Sequence, residues 1–473
     1  MTQQIATDAY IAWIAGLFFL DRDTKERTSK ALWIPVIWLL IIGSRPVSAW
    51  FQSGPTIATA AQYADGSPLD AAVFGVLVAA CAVTLCSRSS QVKRFLRVNL
   101  PLVLFFSYCA LSVVWSDYSF VALKRWVKSV ADMGMVLIVL TDPDPLAATK
   151  RLFSRAAFVL LPLSLLFIKY YPNLGRSYDR WTWIPMYGGV TEFKNELGMI
   201  CLVLGLSSVW SLIEAYENRR MPHRIRHMVA HGNVVAAAIW LLFTADSMTS
   251  LSCFLMASAV MIMTVTRWVA KRPRIIHLLV GSMVALSLCA LFFDSGGGMV
   301  ESLGRNSSLT GRTGIWKAVL SIHINPLLGA GFETFWLGER LQRVWDLSVK
   351  GIQEAHNGYL ELYLNLGWFG VVFLAGLIGT GYRNTLNVLR RDPHAGRLRV
   401  AFFTAAVIYS LTEAGFRMMS PIWIAFLLAI TAVPLPVQIH RKRQRKIESP
   451  MTPAEFPRES EDMEIEDLVQ EFG

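Results

Sequence analysis

The feature that most limits this chain is a series of apolar runs, each close to the length of a membrane-crossing helix and each set off by a polar link. A helix needs about 20 largely apolar residues to cross a bilayer, where its backbone must satisfy its own N–H and C=O groups. Such runs fall near 31–50, 70–87, 99–115, 126–141, 155–171, 196–215, 231–245, 250–267, 275–293, 366–382, 400–416 and 419–437. They predict an all-α, polytopic integral membrane protein with about 12 transmembrane helices. Charge content agrees: 17% of residues are charged, against about 25% in soluble proteins.

The basic residues set the orientation. Links 21–30, 88–98, 217–227, 267–274 and 383–399, and the run HRKRQRK at 440–446, are rich in Lys and Arg, while 51–69 contains neither. All the basic links fall on one side of the predicted spans, which the positive-inside rule assigns to the cytoplasm. The net charge of +11 is therefore topological, and no nucleic-acid partner is expected. Residues 9–20 (AYIAWIAGLFFL) are short for a span and predict an interfacial helix on the cytoplasmic face, within a cytoplasmic segment 1–30. That run lacks a basic start and a small-residue cleavage site, so it does not read as a cleaved signal. Six cysteines lie in or beside apolar runs without a CxxC pair, which predicts neither disulfides nor a zinc–thiolate site. The polar, acidic stretch 438–473 reads as a disordered cytoplasmic tail.

Between spans 31–293 and 366–437 lies the one long polar interval, 294–365, expected outside the cytoplasm. GRTGIW places Arg312 after a glycine, with Thr310 just upstream, at the expected opening of a helix through Ile324. Free backbone amides beside a guanidinium suit an anion. Arg305 lies close enough in sequence to face the same anion, and Trp316, Phe335 and Trp336 offer stacking surface. In EAHNGYLELYLNLG, helical spacing puts His356, Tyr359, Leu360 and Tyr363 on one face. Such a histidine can act as a general base for a hydroxyl, with Glu354 or Asn357 orienting it. It can equally be a histidine satisfied by hydrogen bonds at the top of a helix. His323, inside an apolar run, reads as structural. Other outer links carry Asp117, Lys124 and Arg125; Arg176, Arg180, Glu192 and Lys194; and Asp246. Cations on this side run against the positive-inside bias, although Arg125 and Arg180, each beside a Trp, also suit interfacial anchors.

His356-Asn357, followed by nine residues to Gly367 and two more to Gly370, resembles the histidine motif of the O-antigen ligase and Wzy-type polymerase superfamily. GRTGIW, PLLGAGFETFW and the span layout fit the same superfamily. GSRPVSAWF and EFKNELG resemble the rhizobial exopolysaccharide polymerases, and the likeness covers about 31–437. It implies a membrane glycosyltransferase of the bacterial inner membrane with a periplasmic site, no metal and no cofactor. The donor and the acceptor would be glycans on undecaprenyl diphosphate, with a chain-length regulator and export proteins as possible partners. In that picture His356 activates the acceptor hydroxyl, Glu354 and Arg312 complete the catalytic set, and periplasmic cations hold the departing diphosphate. Arg305, Lys194, Arg176, Arg180, Asn357, Tyr359 and Trp316 are the expected substrate contacts. Many members carry a cation near the stretch that here reads Asp246-Ser247-Met248-Thr249-Ser250, which holds none. Lys194, Arg176 and Arg180, in that order, are expected to replace it. Competing readings are a ligase transferring to lipid A core, a transporter using Asp132 and Glu413, and a non-catalytic scaffold.

Overall fold

The computed structural model describes residues 2–22, 28–51, 66–178, 183–270, 272–293, 308–348 and 350–434. The stretch expected to form the tail, 438–473, lies outside these. The main helices are α1 (Gln3–Leu20), α2 (Trp33–Ile42), α3 (Pro68–Ser87), α4 (Ser89–Val98), α5 (Leu100–Leu111), α6 (Ser119–Leu140), α7 (Pro145–Tyr170) and α8 (Lys194–Glu217). They continue as α9 (Arg224–Thr244), α10 (Met248–Met263), α11 (Pro273–Phe293), α12 (Ser308–Ser321), α13 (Gly338–Leu347), α14 (Gly358–Arg391), α15 (Pro393–Tyr409) and α16 (Pro421–Ile430). Two three-residue strands, β1 (Arg176–Tyr178) and β2 (Pro185–Tyr187), pair antiparallel.

Each expected apolar run contains a helix. Among the described residues, 5 helices are long and apolar enough to cross a membrane, or up to 6 if a bent pair counts as one span. Several of the remaining runs are shortened by local breaks. Gly43 to Pro46 interrupts the first run after α2, and α16 stops at Ile430 ahead of Pro434. Proline supplies no N–H and fixes φ, so it favours helix starts and breaks. Asp144 before Pro145 and Asp392 before Pro393 cap the starts of α7 and α15 with their side chains.

The helices are not all amphipathic. Every residue of α16 is buried, and α15 is buried from Gly396 onward, so these two form the centre of the bundle rather than its rim. The two arginines in that buried part of α15 are satisfied: Arg397 pairs with Glu217, and Arg399 donates to the Thr431 carbonyl at 2.7 Å. Asp132 on α6 accepts from Trp38 Nε1 at 2.8 Å and from the Met419 amide at 2.7 Å. It thereby bolts α2 and the α15–α16 connection to α6.

The N-terminal helix packs along a neighbour: α1 runs beside α7 in the opposite sense. Gln3 donates to the Tyr170 carbonyl, Thr7 meets the Tyr171 hydroxyl, and Phe18 packs edge-on against Phe158. Tyr10 and Phe18 pack edge-on against Tyr170 and Phe158 of α7, and Arg226 of α9 lies over the Phe19 ring. The helix set crosswise is α4, which carries Lys93, Arg94 and Arg97 and bends 94° from the following helix.

The long interval is folded in its described part, 308–348 and 350–357. Ile315, Val319, Phe335, Trp336, Leu341, Val344, Trp345 and Ala355 form a second hydrophobic core with Leu364 of α14.

Candidate functional site

The site rests on a break in α14. At Gly367 the backbone takes φ 63 and ψ −165, and a Cβ there would lie 2.3 Å from the Leu327 backbone, so only glycine fits. The break exposes backbone groups that a regular helix would use internally, and the segment 326–331 takes them up. Trp368 and Phe369 donate to the carbonyls of Pro326 and Leu327, while Ala330 and Gly331 donate to those of Leu364 and Asn365. PLLGAG is thus threaded into the kink, and the folded part of the long interval is fixed to the helix bundle through main-chain bonds.

Upstream on the same helix, Asn357 is the N-cap. Its Oδ1 accepts from the amides of Tyr359 and Leu360, and its Nδ2 donates to the Leu411 carbonyl. The Gly358 amide donates to the Ser410 carbonyl at 2.8 Å. These bonds draw the start of α14 onto the α15–α16 connection, 410–420. His356 therefore stands just before the helix, in the left-handed region at φ 49, and not on the helical face with Tyr359 and Tyr363 that its spacing predicts. Asn357 stops the helix short of it, because a side-chain cap requires a non-helical residue at that position.

The ring of His356 is held from one side. Its Nδ1 lies 2.9 Å from Glu354 Oε1 and 3.1 Å from Glu413 Oε2. Glu413, 5% exposed, also receives Arg312 at 2.8 Å and Asn195 Nδ2 at 3.2 Å on its other oxygen. Arg417 lies 3.8 Å from Glu354 and 3.4 Å from Glu333, and Arg125 donates to the Glu333 carbonyl. The result is a network of three carboxylates, three guanidiniums and one imidazole, open enough that 27% of the His356 side chain is exposed.

The charges shift one another strongly. Burial works against a charged imidazole, but the hydrogen bonds and charges of Glu354 and Glu413 outweigh it and raise His356 to about 10. Burial likewise pushes the Glu354 carboxyl up, yet its bond to His356 and the nearby Arg417 and Arg312 bring it below its ordinary value. Burial opposes the Arg417 charge, and Glu333, Glu361 and Glu354 more than restore it. With both carboxylates on Nδ1, proton exchange with a bound molecule falls to Nε2, the geometry of an oriented base.

The structure brings His356, Glu354 and Arg312 together, and the other described residues expected to contact substrate have protein partners. GRTGIW does not open a helix but lies within α12, with Arg312 one turn inside its first described residue. The anion nest expected at Gly311 is therefore replaced by a guanidinium projecting from a helix side. Trp316 Nε1 donates to the Ala355 carbonyl at 2.8 Å and so fixes the backbone beside His356. The Tyr359 hydroxyl donates to the Val407 carbonyl at 3.1 Å. Arg176 donates to the Ile168 carbonyl at 2.8 Å and covers the Tyr187 ring, which fastens the hairpin. Lys194 lies 3.9 Å from Asp246, and so brings a cation to the stretch that carries none of its own. Arg305 and Arg180 lie outside the described residues. His323 follows the end of α12 at Ser321 and is exposed.

Glu413, Arg417, Glu333 and Asn195 are the residues that reading the sequence as apolar spans missed. The signal was present: LTEAGFRMM places a carboxylate and a guanidinium four residues apart within a largely apolar stretch, and charges in such a setting are costly and functional. The sequence offered Glu413 only in support of the competing transporter reading, whereas the connection between α15 and α16 folds it back onto His356.

Comparison with known proteins bears on this arrangement. The family model described as O-antigen ligase matches residues 232–375, a stretch that includes Arg312, Glu354, His356 and the Gly367 break. Over 349 residues, covering 71% of this chain and 76% of the relative, the sequence is 23% identical to the exopolysaccharide production protein ExoQ of Rhizobium meliloti (strain 1021). The matched stretch carries the histidine motif, so this chain is similar over that part to the O-antigen ligase family and, more widely, to a rhizobial exopolysaccharide production protein.

Proposed function

We propose that this protein is an exopolysaccharide polymerase that joins glycan repeat units carried on undecaprenyl diphosphate at the periplasmic face of the inner membrane. The observation that carries the reading is His356, held through Nδ1 by Glu354 and Glu413 with Arg312 and Arg417 alongside. A sugar hydroxyl needs a base to become a nucleophile, while a diphosphate leaves as an anion without being protonated. The network supplies both requirements in one place.

In the proposed step, the acceptor hydroxyl gives its proton to Nε2 of neutral His356 as its oxygen bonds to the anomeric carbon of the donor. The bond from that carbon to the diphosphate oxygen breaks, its electron pair leaves with the phosphate, and configuration inverts. Arg312, with Lys194 at the 246–250 stretch, stabilises the departing charge, a task that guanidinium clamps perform in place of a metal. The sidedness of the basic links supports a periplasmic site. The match between each of about 12 apolar runs and a helix supports a bundle in which shorter helices also cross. ExoQ, named for exopolysaccharide production, favours polymerisation over transfer to lipid A core.

The test is His356→Ala in a strain that depends on this chain. Polymer should disappear and single lipid-linked repeats should accumulate on the outer leaflet, with membrane insertion unchanged. High-molecular-weight polymer at wild-type level would remove His356 from the chemistry. Repeats trapped on the cytoplasmic leaflet would make the protein a transporter.

A further inference from the structure

A second cluster of metal-ligating side chains lies away from His356. Helices α8 and α9 are joined by the turn 218–223 and pack antiparallel. Lys194 at the start of α8 lies beside Asp246, just past the end of α9. His227 sits in the first turn of α9, about 25 Å along the helix axis from that end. His231 follows one turn later on the same face, and Asp21, the C-cap of α1, reaches both rings.

The geometry is convergent. His227 Nδ1 is 2.6 Å and His231 Nε2 3.2 Å from the same oxygen, Asp21 Oδ1. The ring centroids are 4.4 Å apart, and one donor atom from each of the three residues lies within 4.8 Å of the others. Donors bound to one tetrahedral zinc ion at about 2.0–2.1 Å stand roughly 3.3 Å from one another, so little movement would seat an ion among these three. His231 is 1% exposed and Asp21 17%. The far ring nitrogens, His227 Nε2 and His231 Nδ1, are buried without a protein partner. Among the described residues, no arginine or lysine forms an ion pair with Asp21.

We propose that Asp21, His227 and His231 form a divalent-cation site of the zinc class, clasping the C-terminal end of α1 to the start of α9. Two histidines at i, i+4 on a helix with one carboxylate is a donor set suited to zinc, with the fourth position left to water. The site joins segments about 200 residues apart in sequence, so its occupation would act on the docking of α1, as binding to the folded state alone stabilises that state.

The test uses the full chain in detergent, stripped with a chelator and then titrated with Co²⁺ and Zn²⁺. One equivalent of tightly held metal, a tetrahedral Co²⁺ visible spectrum and a zinc-dependent rise in Tm are expected. His231→Gln and Asp21→Asn should each lower affinity at least tenfold and abolish the Tm shift. His356→Ala, in the other histidine cluster, should leave all three readouts unchanged. No bound equivalent in the wild-type chain would overturn the proposal. Metal retained in His227→Gln/His231→Gln, or lost in His356→Ala, would do the same.

Discussion

Two clusters in this molecule use nearly the same donors, and they differ in their neighbours. Glu354, His356 and Glu413 could hold a metal by distance alone, as could Asp21, His227 and His231. Around His356, however, Arg312 and Arg417 already occupy the carboxylates. Around Asp21, the two imidazoles are the recorded partners and the far ring nitrogens are unsatisfied. A carboxylate next to a guanidinium has its charge compensated, and a divalent cation brought there would be repelled by the arginines. The lesson is that donor spacing proposes a metal and the surrounding charge decides.

The largest expected effect tests the arginine side of this contrast. Glu413→Gln removes one carboxylate from His356 Nδ1 and leaves Arg312 without its buried partner. Breaking a buried pair costs about 3–5 kcal/mol of stability, and polymer formation should fall by about 10²-fold or more as the base loses its orientation. Thermal unfolding and polymer yield, measured together, separate the two losses. Wild-type yield at a permissive temperature would show that Glu413 is only structural.

The next effect concerns pH. His356 is raised to about 10, so its ion pairs contribute stability that is fully present below the ordinary histidine value and lost as pH rises through about 10. At pH 7, a group of that pKa is neutral in only about one molecule in 1,000. If the neutral ring is the base, the rate in reconstituted membranes should climb from pH 7 toward pH 9. In Glu354→Gln, with one raising carboxylate gone, the rise should move to lower pH. A rate that falls over this interval would make His356 an acid or a phosphate ligand.

Arg312→Lys is expected to be milder. It keeps a charge beside Glu413 but loses the planar fork that matches phosphate oxygens. We expect about tenfold slower polymerisation, consistent with loss of one charge-assisted contact. Full activity would move diphosphate binding to Lys194 or another cation. Smallest of all is the effect of a chelator on the reaction. Well below the melting temperature, EDTA should leave the rate unchanged while lowering the Tm through the Asp21 cluster. A rate that disappears with EDTA and returns with a divalent ion would place a metal at His356 after all.

How much of this was legible varies from element to element. Each expected apolar run contains a helix, because an apolar stretch leaves its mark locally, whereas which of them cross a membrane does not follow from the runs alone. His356, Glu354 and Arg312, which the structure brings together, stood out because each lies in a short polar motif with its own glycine or helix pattern. The course of α1 was not legible, since nothing in AYIAWIAGLFFL distinguishes a membrane surface from the side of α7. Local spacing also misplaced His356 on a helix that Asn357 starts two residues later.

The sequence by itself determined a helical membrane protein and the chemical character of the long polar interval. Those properties depend on local composition, which every segment carries alone. Tertiary structure decided which charges meet. Glu413 is 57 residues from His356 and 101 from Arg312, and it joins them because the break at Gly367 and the cap at Asn357 fold the α15–α16 connection against the long polar interval. Periodicity cannot encode such a meeting, because the energy that fixes it comes from packing and hydrogen bonds between segments that are strangers in sequence.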